Sequence, residues 1–193
     1  MKIKTSQLRQ IIRESIILNE THFPLEGGDK MRIHHSRPGS RVKGIVPQIG
    51  NFTQKAGPKP EGLWYECQDG SSETWKEFCE FGMSSHYSKY DSTYNIVLND
   101  YEILFIPDDH HFEKFYKMYS VNHPADPDGK KGYDKMIDWP KVAEHYAGIE
   151  ICPYRSNKRM DDDSFWYYGW DVASGCVWDP KGIKDMTKSG DCK

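Results

Sequence analysis

The stretch Gly62-Leu63-Trp64-Tyr65-Glu66 constrains this chain more than any other. A leucine and two large rings in succession fit a short, buried, aromatic strand. A polar, Gly/Pro-rich segment precedes it. Ser71-Ser72-Glu73-Thr74 follows with helix-start signals, and Thr74 and Glu77 are spaced as a capping box. The expected helix carries Trp75, Phe78 and Cys79 on one face. About thirty residues upstream, Met31-Arg32-Ile33-His34-His35-Ser36 reads as a second strand. Two such strands can form one pocket floor.

At 193 residues the chain has room for one domain and an N-terminal appendage. Its hydrophobic fraction is low at 37%, against 13% aromatic, so Tyr and Trp must carry much of the core. Each then needs a partner for its polar atom. A net charge of −3 gives no whole-protein case for nucleic-acid or membrane binding. No apolar run approaches the roughly 18 residues of a membrane span, so no membrane partner is expected. Cys67, Cys79, Cys152, Cys176 and Cys192 are odd in number and contain no CxxC spacing. They read as reduced thiols of a cytosolic setting.

Residues 1–20 form a basic amphipathic segment, with Leu8, Ile11, Ile12 and Ile16 at helical spacing, and 21–30 a linker. Residues 37–61 read as a long irregular loop, made basic by Arg37, Arg41, Lys43, Lys55 and Lys59. It is either a solvated loop or one that faces a phosphate-bearing ligand. Residues 94–98 and 102–106 are β-rich runs with a hairpin-like connection. Asp108 and Asp109 start a helix with Phe112, Phe115, Tyr116 and Tyr119 on one stripe. Asp138-Trp139-Pro140 opens a short helix. Ile149-Glu150-Ile151 is a strand. Residues 165–172 read as an aromatic strand, Ala173-Ser174-Gly175 as a turn, and 179–193 as a polar surface tail. The order fits an α+β domain over residues 31–178.

Glu150 is the most pointed carboxylate. Its alternation places it opposite its flanking isoleucines, where it is ordinary if that face is solvent and a catalytic candidate if that face is a cleft. His34 and His35 are adjacent on a strand and point to opposite faces, so they cannot form a metal pair. No ligand-spaced set supports zinc, and no metal is expected. A Cys-His nucleophile is chemically possible with Cys67, but no motif accompanies it.

Three of these pieces, in this order, resemble the ADP-ribosyltransferase superfamily in its PARP-like branch. His34 and Ser36 match its His-x-Ser, Gly62-Leu63-Trp64-Tyr65 its Gly-plus-aromatic strand, and Glu150 its later glutamate. His35 stands where that family often has Gly, and Trp64 where Tyr is usual. The resemblance implies a mixed or antiparallel β core of two small packed sheets with short flanking helices. It implies NAD as substrate, with Glu150 and His34 catalytic. His34, His35, Ser36, Gly62, Trp64, Tyr65 and Trp75 would hold the NAD. The activity implied is transfer of ADP-ribose to a host protein or nucleic acid. Glu150→Gln is then expected to leave the fold intact and to cut NAD turnover. The alternative is a non-enzymatic binding protein on the same scaffold. The opening MKIKTSQLRQIIRE is similar to leader segments of tailed-phage proteins, and Leu18-Asn19-Glu20 to sites cut by phage prohead proteases. That likeness implies contact with capsid proteins through residues 1–20, and a place in the virion interior, the host cytoplasm or both. An amphipathic helix docked on its own domain is the other reading of that segment.

Overall fold

A computed structural model describes residues 23–24, 27–37, 52–82 and 87–192. The leader and most of the basic loop lie outside the described residues. The strands are β1 (Met31–Ser36), β2 (Leu63–Gln68), β3 (Ser92–Leu98), β4 (Ile103–Ile106), β5 (Ser120–Val121), β6 (Met136–Ile137), β7 (Gly148–Ile151), β8 (Ser174–Val177) and β9 (Ile183–Asp191). The helices are α1 (Trp75–Gly82), α2 (Asp109–Tyr119) and α3 (Trp139–Ala143). Seven strands form one mixed sheet in the order β4-β7-β8-β2-β1-β3-β9, and β5 and β6 pair separately. The fold is thus α+β. One large sheet replaces the expected pair of small packed ones, because β2 pairs with β8 on one side and β1 on the other.

The two faces of the sheet bury different cores. One face carries Leu104 and Ile106 of β4 and Ile149 and Ile151 of β7. Against it pack Phe112, Phe115 and Tyr119 of α2, Trp139 and Val142 of α3, and Trp166, Tyr167 and Trp170. The other face gathers Leu63, Tyr65, Ile96, Leu98, Ile103, Phe105, Val177, Ile183 and Met186. That second set joins β4 at one edge to β3 and β9 at the other, so the sheet coils around it.

The helix signals are realised. Thr74 and Glu77 exchange capping-box bonds, with Glu77 Oε2 accepting from the Thr74 N–H at 2.9 Å. Asp108 caps α2 through the His111 N–H, and Asp138 caps α3 through the Lys141 N–H. Four strand readings need correction. β3 and β4 are not a hairpin: β3 pairs with β1 and β9, and β4 runs parallel to β7. Residues 165–172 do not make a strand, since a 3₁₀ segment occupies Asp162–Tyr167. Trp166, Tyr167 and Trp170 are all buried, a run that a two-residue pleat cannot place on one side. Ser174 and Gly175 lie in central strand β8 rather than a turn. The expected tail is edge strand β9, whose Ile183 and Met186 enter the core.

The cysteines also differ from expectation. Cys67 at the end of β2 and Cys152 just past β7 form a disulfide across a sequence separation of 85. Strand β8 begins only at Ser174, so Cys67 and Cys152 meet beside Ala173, with Cα atoms 6.2 Å apart. Spacing alone could not pair them. Closing a loop of this length stabilises by roughly 4.5 kcal/mol in the chain-entropy view.

If β9 is core rather than tail, Ile183→Ala should cost about 2–4 kcal/mol in urea unfolding. Exposed Lys184→Ala should stay within about 0.5 kcal/mol. Equal stability of the two variants would return residues 183–191 to the surface.

Candidate functional site

The expected site residues divide between the two faces of the sheet. Ile33 pairs with Glu66, and Tyr65 with Gly175, which pairs with Glu150. Alternation therefore puts Arg32, His34, Ser36, Tyr65 and Glu150 on one face and His35, Trp64 and Glu66 on the other. Trp64 cannot share a pocket with Glu150. Its ring packs edge-on against Trp170, centroids 4.8 Å apart, in the helix-covered core. Trp75 leads α1, where it stacks on Phe78 and gives its N–H to Glu66. Gly62 abuts β8, where a Cβ would lie 2.5 Å from the Val177 carbonyl oxygen.

Glu150 is not in a cleft. It is 1% exposed and takes a two-pronged ion pair from Arg32, at 2.5 Å from Nε and 3.1 Å from Nη2. The Tyr65 hydroxyl donates to the same carboxylate at 3.1 Å. Burial, then the Glu150 charge, push the Tyr65 phenol well above its usual range, so it stays a donor. Gly175 makes this reach possible: a Cβ there would stand 2.2 Å from the Tyr65 ring and hydroxyl. The Phe105 ring lies beneath the Arg32 guanidinium at 5.9 Å. The Cys67–Cys152 disulfide adjoins the group. Cys67, Glu150 and Cys152 place ligand-type atoms within 4.8 Å of one another, but both sulfurs are spent on the disulfide. His34 is half-buried, with its Nδ1 donating to the Trp64 carbonyl at 2.7 Å, and burial lowers its pKa. Ser36 is buried on the same face.

A separate cavity of about 730 Å³ opens on the helix-covered side. Lys59, His123, Tyr133, Lys135, Phe165 and Tyr168 line it. Phe165 and Tyr168 stack on each other at 5.4 Å and stay exposed by 49% and 45%. Tyr133 is 53% exposed and meets His123 edge-on at 5.2 Å. Lys59 Nζ sits 5.0 Å over the Trp64 ring. Burial lowers its pKa, opposed by Asp171. Lys59 belongs to the basic loop, so one of the loop's cations does reach a cavity. The aromatic lining was hidden in the sequence, because 165–172 reads as a strand, whereas the 3₁₀ segment and the turn after it leave Phe165 and Tyr168, three apart, exposed. Among the described residues no helix is long and apolar enough to cross a membrane. No protein-family model, curated protein or solved structure matches the chain.

The ion pair sets an expectation opposite to the catalytic one. Glu150→Gln leaves the Arg32 charge buried without its counter-ion and should destabilise the fold by about 3–5 kcal/mol. The double variant Arg32→Met/Glu150→Leu should recover most of that loss in thermal and urea unfolding. A Glu150→Gln protein as stable as the parent would show that the pair carries no such role.

Proposed function

We propose that this chain is a ligand-binding protein, and that its site is the cavity framed by Lys59, Tyr133, Phe165 and Tyr168. The ligand class is a planar aromatic carrying negative charge, as nucleotides including NAD do. The observation that carries this reading is the cavity itself. Exposed rings offer stacking faces, and Lys59 and Lys135 offer charge for phosphate. Its volume lies in the usual range for small-molecule sites, about 300–1,000 Å³.

The ADP-ribosyltransferase reading keeps one supporting observation. His34, Tyr65 and Glu150 share a face, and the strands bearing His34 and Tyr65 are neighbours. Against it stands the burial of Glu150 behind Arg32 and Tyr65, since a carboxylate must reach the ribose to stabilise its developing positive charge. Binding without turnover through Glu150 is therefore favoured over transfer to a host protein or nucleic acid.

Calorimetric titration with NAD, adenosine monophosphate and nicotinamide tests the proposal. Saturable binding of at least one nucleotide is expected. Phe165→Ala and Tyr168→Ala should each weaken it roughly 5- to 150-fold, the range for loss of one stacking ring. Binding that ignores both variants, or no nucleotide binding at millimolar concentration, would remove the cavity as the site. Steady release of nicotinamide from NAD by the parent chain would restore the transferase reading.

Placement in a phage head rests on the leader sequence alone, in residues outside those described. Mass spectrometry of the protein from virions should find it beginning at Thr21, after cleavage behind Glu20. An intact Met1 there would remove the packaging proposal.

A further inference from the structure

The face of the sheet opposite Glu150 carries a second ionisable group, near the β9 edge. Strand order β2-β1-β3-β9 and the pleat place Glu66, His35 and Cys192 on that face together. Cys192 follows β9 and is anchored by its N–H to the Asp91 carbonyl at 3.0 Å. Its Sγ lies 3.9 Å from His35 Nδ1. His35 Nε2 lies 3.2 Å from Glu66 Oε1, within ion-pair reach but off the line of a hydrogen bond, and among the described residues no other atom partners it. Both His35 and Glu66 have side chains more than nine-tenths buried.

We propose that Cys192, His35 and Glu66 form a thiol–imidazole–carboxylate relay, with Cys192 the nucleophile toward uncharged activated acyl groups such as esters and thioesters. A carboxylate can only accept, so the Glu66 charge beside Nε2 favours the tautomer with its proton there and leaves the Nδ1 lone pair facing the thiol. Glu66 is itself fixed. The Trp75 N–H donates to Oε2 at 2.6 Å and Gln68 Nε2 to Oε1 at 2.7 Å. Against burial, His35 and these donors hold its pKa below the usual carboxylate range, so it is charged at neutral pH. Tyr87 and Tyr90 meet the imidazole edge-on at 5.6 and 5.9 Å and keep its plane.

Burial raises the Cys192 pKa, and Asp91 and Asp191 raise it further, against a Tyr87 hydrogen bond that lowers it. The sulfur therefore rests as the thiol and is activated only as it attacks. Sγ bonds to the carbonyl carbon and its proton passes to His35 Nδ1. The bond from carbon to the leaving group breaks, and that group departs with the proton from Nδ1. Water then attacks the S-acyl carbon while His35 takes its proton. The carbon–sulfur bond breaks, and the thiol is regenerated as the acid is released. The two aspartates disfavour an anionic substrate, hence the uncharged class.

The remaining cysteines leave the test clean. Cys79 and Cys176 are buried, and Cys67 and Cys152 are joined. The full chain, treated with p-nitrophenyl acetate at neutral pH and followed by peptide mass mapping, should acetylate Cys192. The rate should exceed that of free N-acetylcysteine at the same pH by at least about tenfold. Cys192→Ser should abolish the adduct. His35→Gln should slow it on the order of 10²–10⁴-fold. Glu66 acts as a positioning residue, so Glu66→Gln should slow acylation and Glu66→Asp should restore part of the rate. Reaction at Cys192 no faster than the free thiol overturns the relay, and this comparison stands if a variant fails to fold. So does a folded His35→Gln protein that reacts at the parent rate.

Discussion

The buried pair between Arg32 and Glu150 is the constraint around which the sheet is arranged. Taking both charges out of water is costly, and the cost is recovered only if the geometry is close and the remaining lone pairs are used. Both conditions hold here. Arg32 approaches with two nitrogens, and Tyr65 supplies a third donor. Arg32 comes from β1, Tyr65 from β2 and Glu150 from β7, so one carboxylate ties three strands across the sheet. β8 has to pass between Tyr65 and Glu150, and it does so with Gly175, where any side chain would collide with the Tyr65 ring. The adjacent Cys67–Cys152 bond fastens the same corner covalently.

This arrangement decides what the chain can do on each side of the sheet. The coiled face is filled by the ion pair and the aliphatic cluster around Ile96, Ile103 and Ile183. The opposite face carries the aromatic core. Its periphery holds the cavity beside Lys59 and, near the β9 edge, the contact between Cys192 and His35. The rings serve both ends. Trp166 and Tyr167 close the core, while Phe165, in the same 3₁₀ segment, and Tyr168, just after it, stay exposed.

Legibility followed locality. Helix starts at Thr74, Asp108 and Asp138 were readable because a cap involves residues three apart, which interact wherever the chain goes. The strands at 31–36, around 62–66 and around 149–151 were readable from short runs of bulky residues, and the structure extends the second to Gln68. The opposite facing of His34 and His35 was readable from the pleat. The pairing of β3 was not, because β-rich runs close in sequence suggest a hairpin while partners are chosen by burial. β9 was missed because an edge strand with two buried residues among polar ones resembles a tail.

The sequence by itself determined that this is a mixed α+β chain with an aromatic core and a glutamate set in an apolar strand. Those follow from composition and period, which are properties of neighbours along the chain. Tertiary structure alone decided that Glu150 meets Arg32 across 118 residues, that Cys67 meets Cys152 across 85, and that Cys192 meets His35 across 157. Charge, sulfur chemistry and nucleophilicity depend on what lies within a few ångströms. Strand order, not sequence spacing, sets that distance.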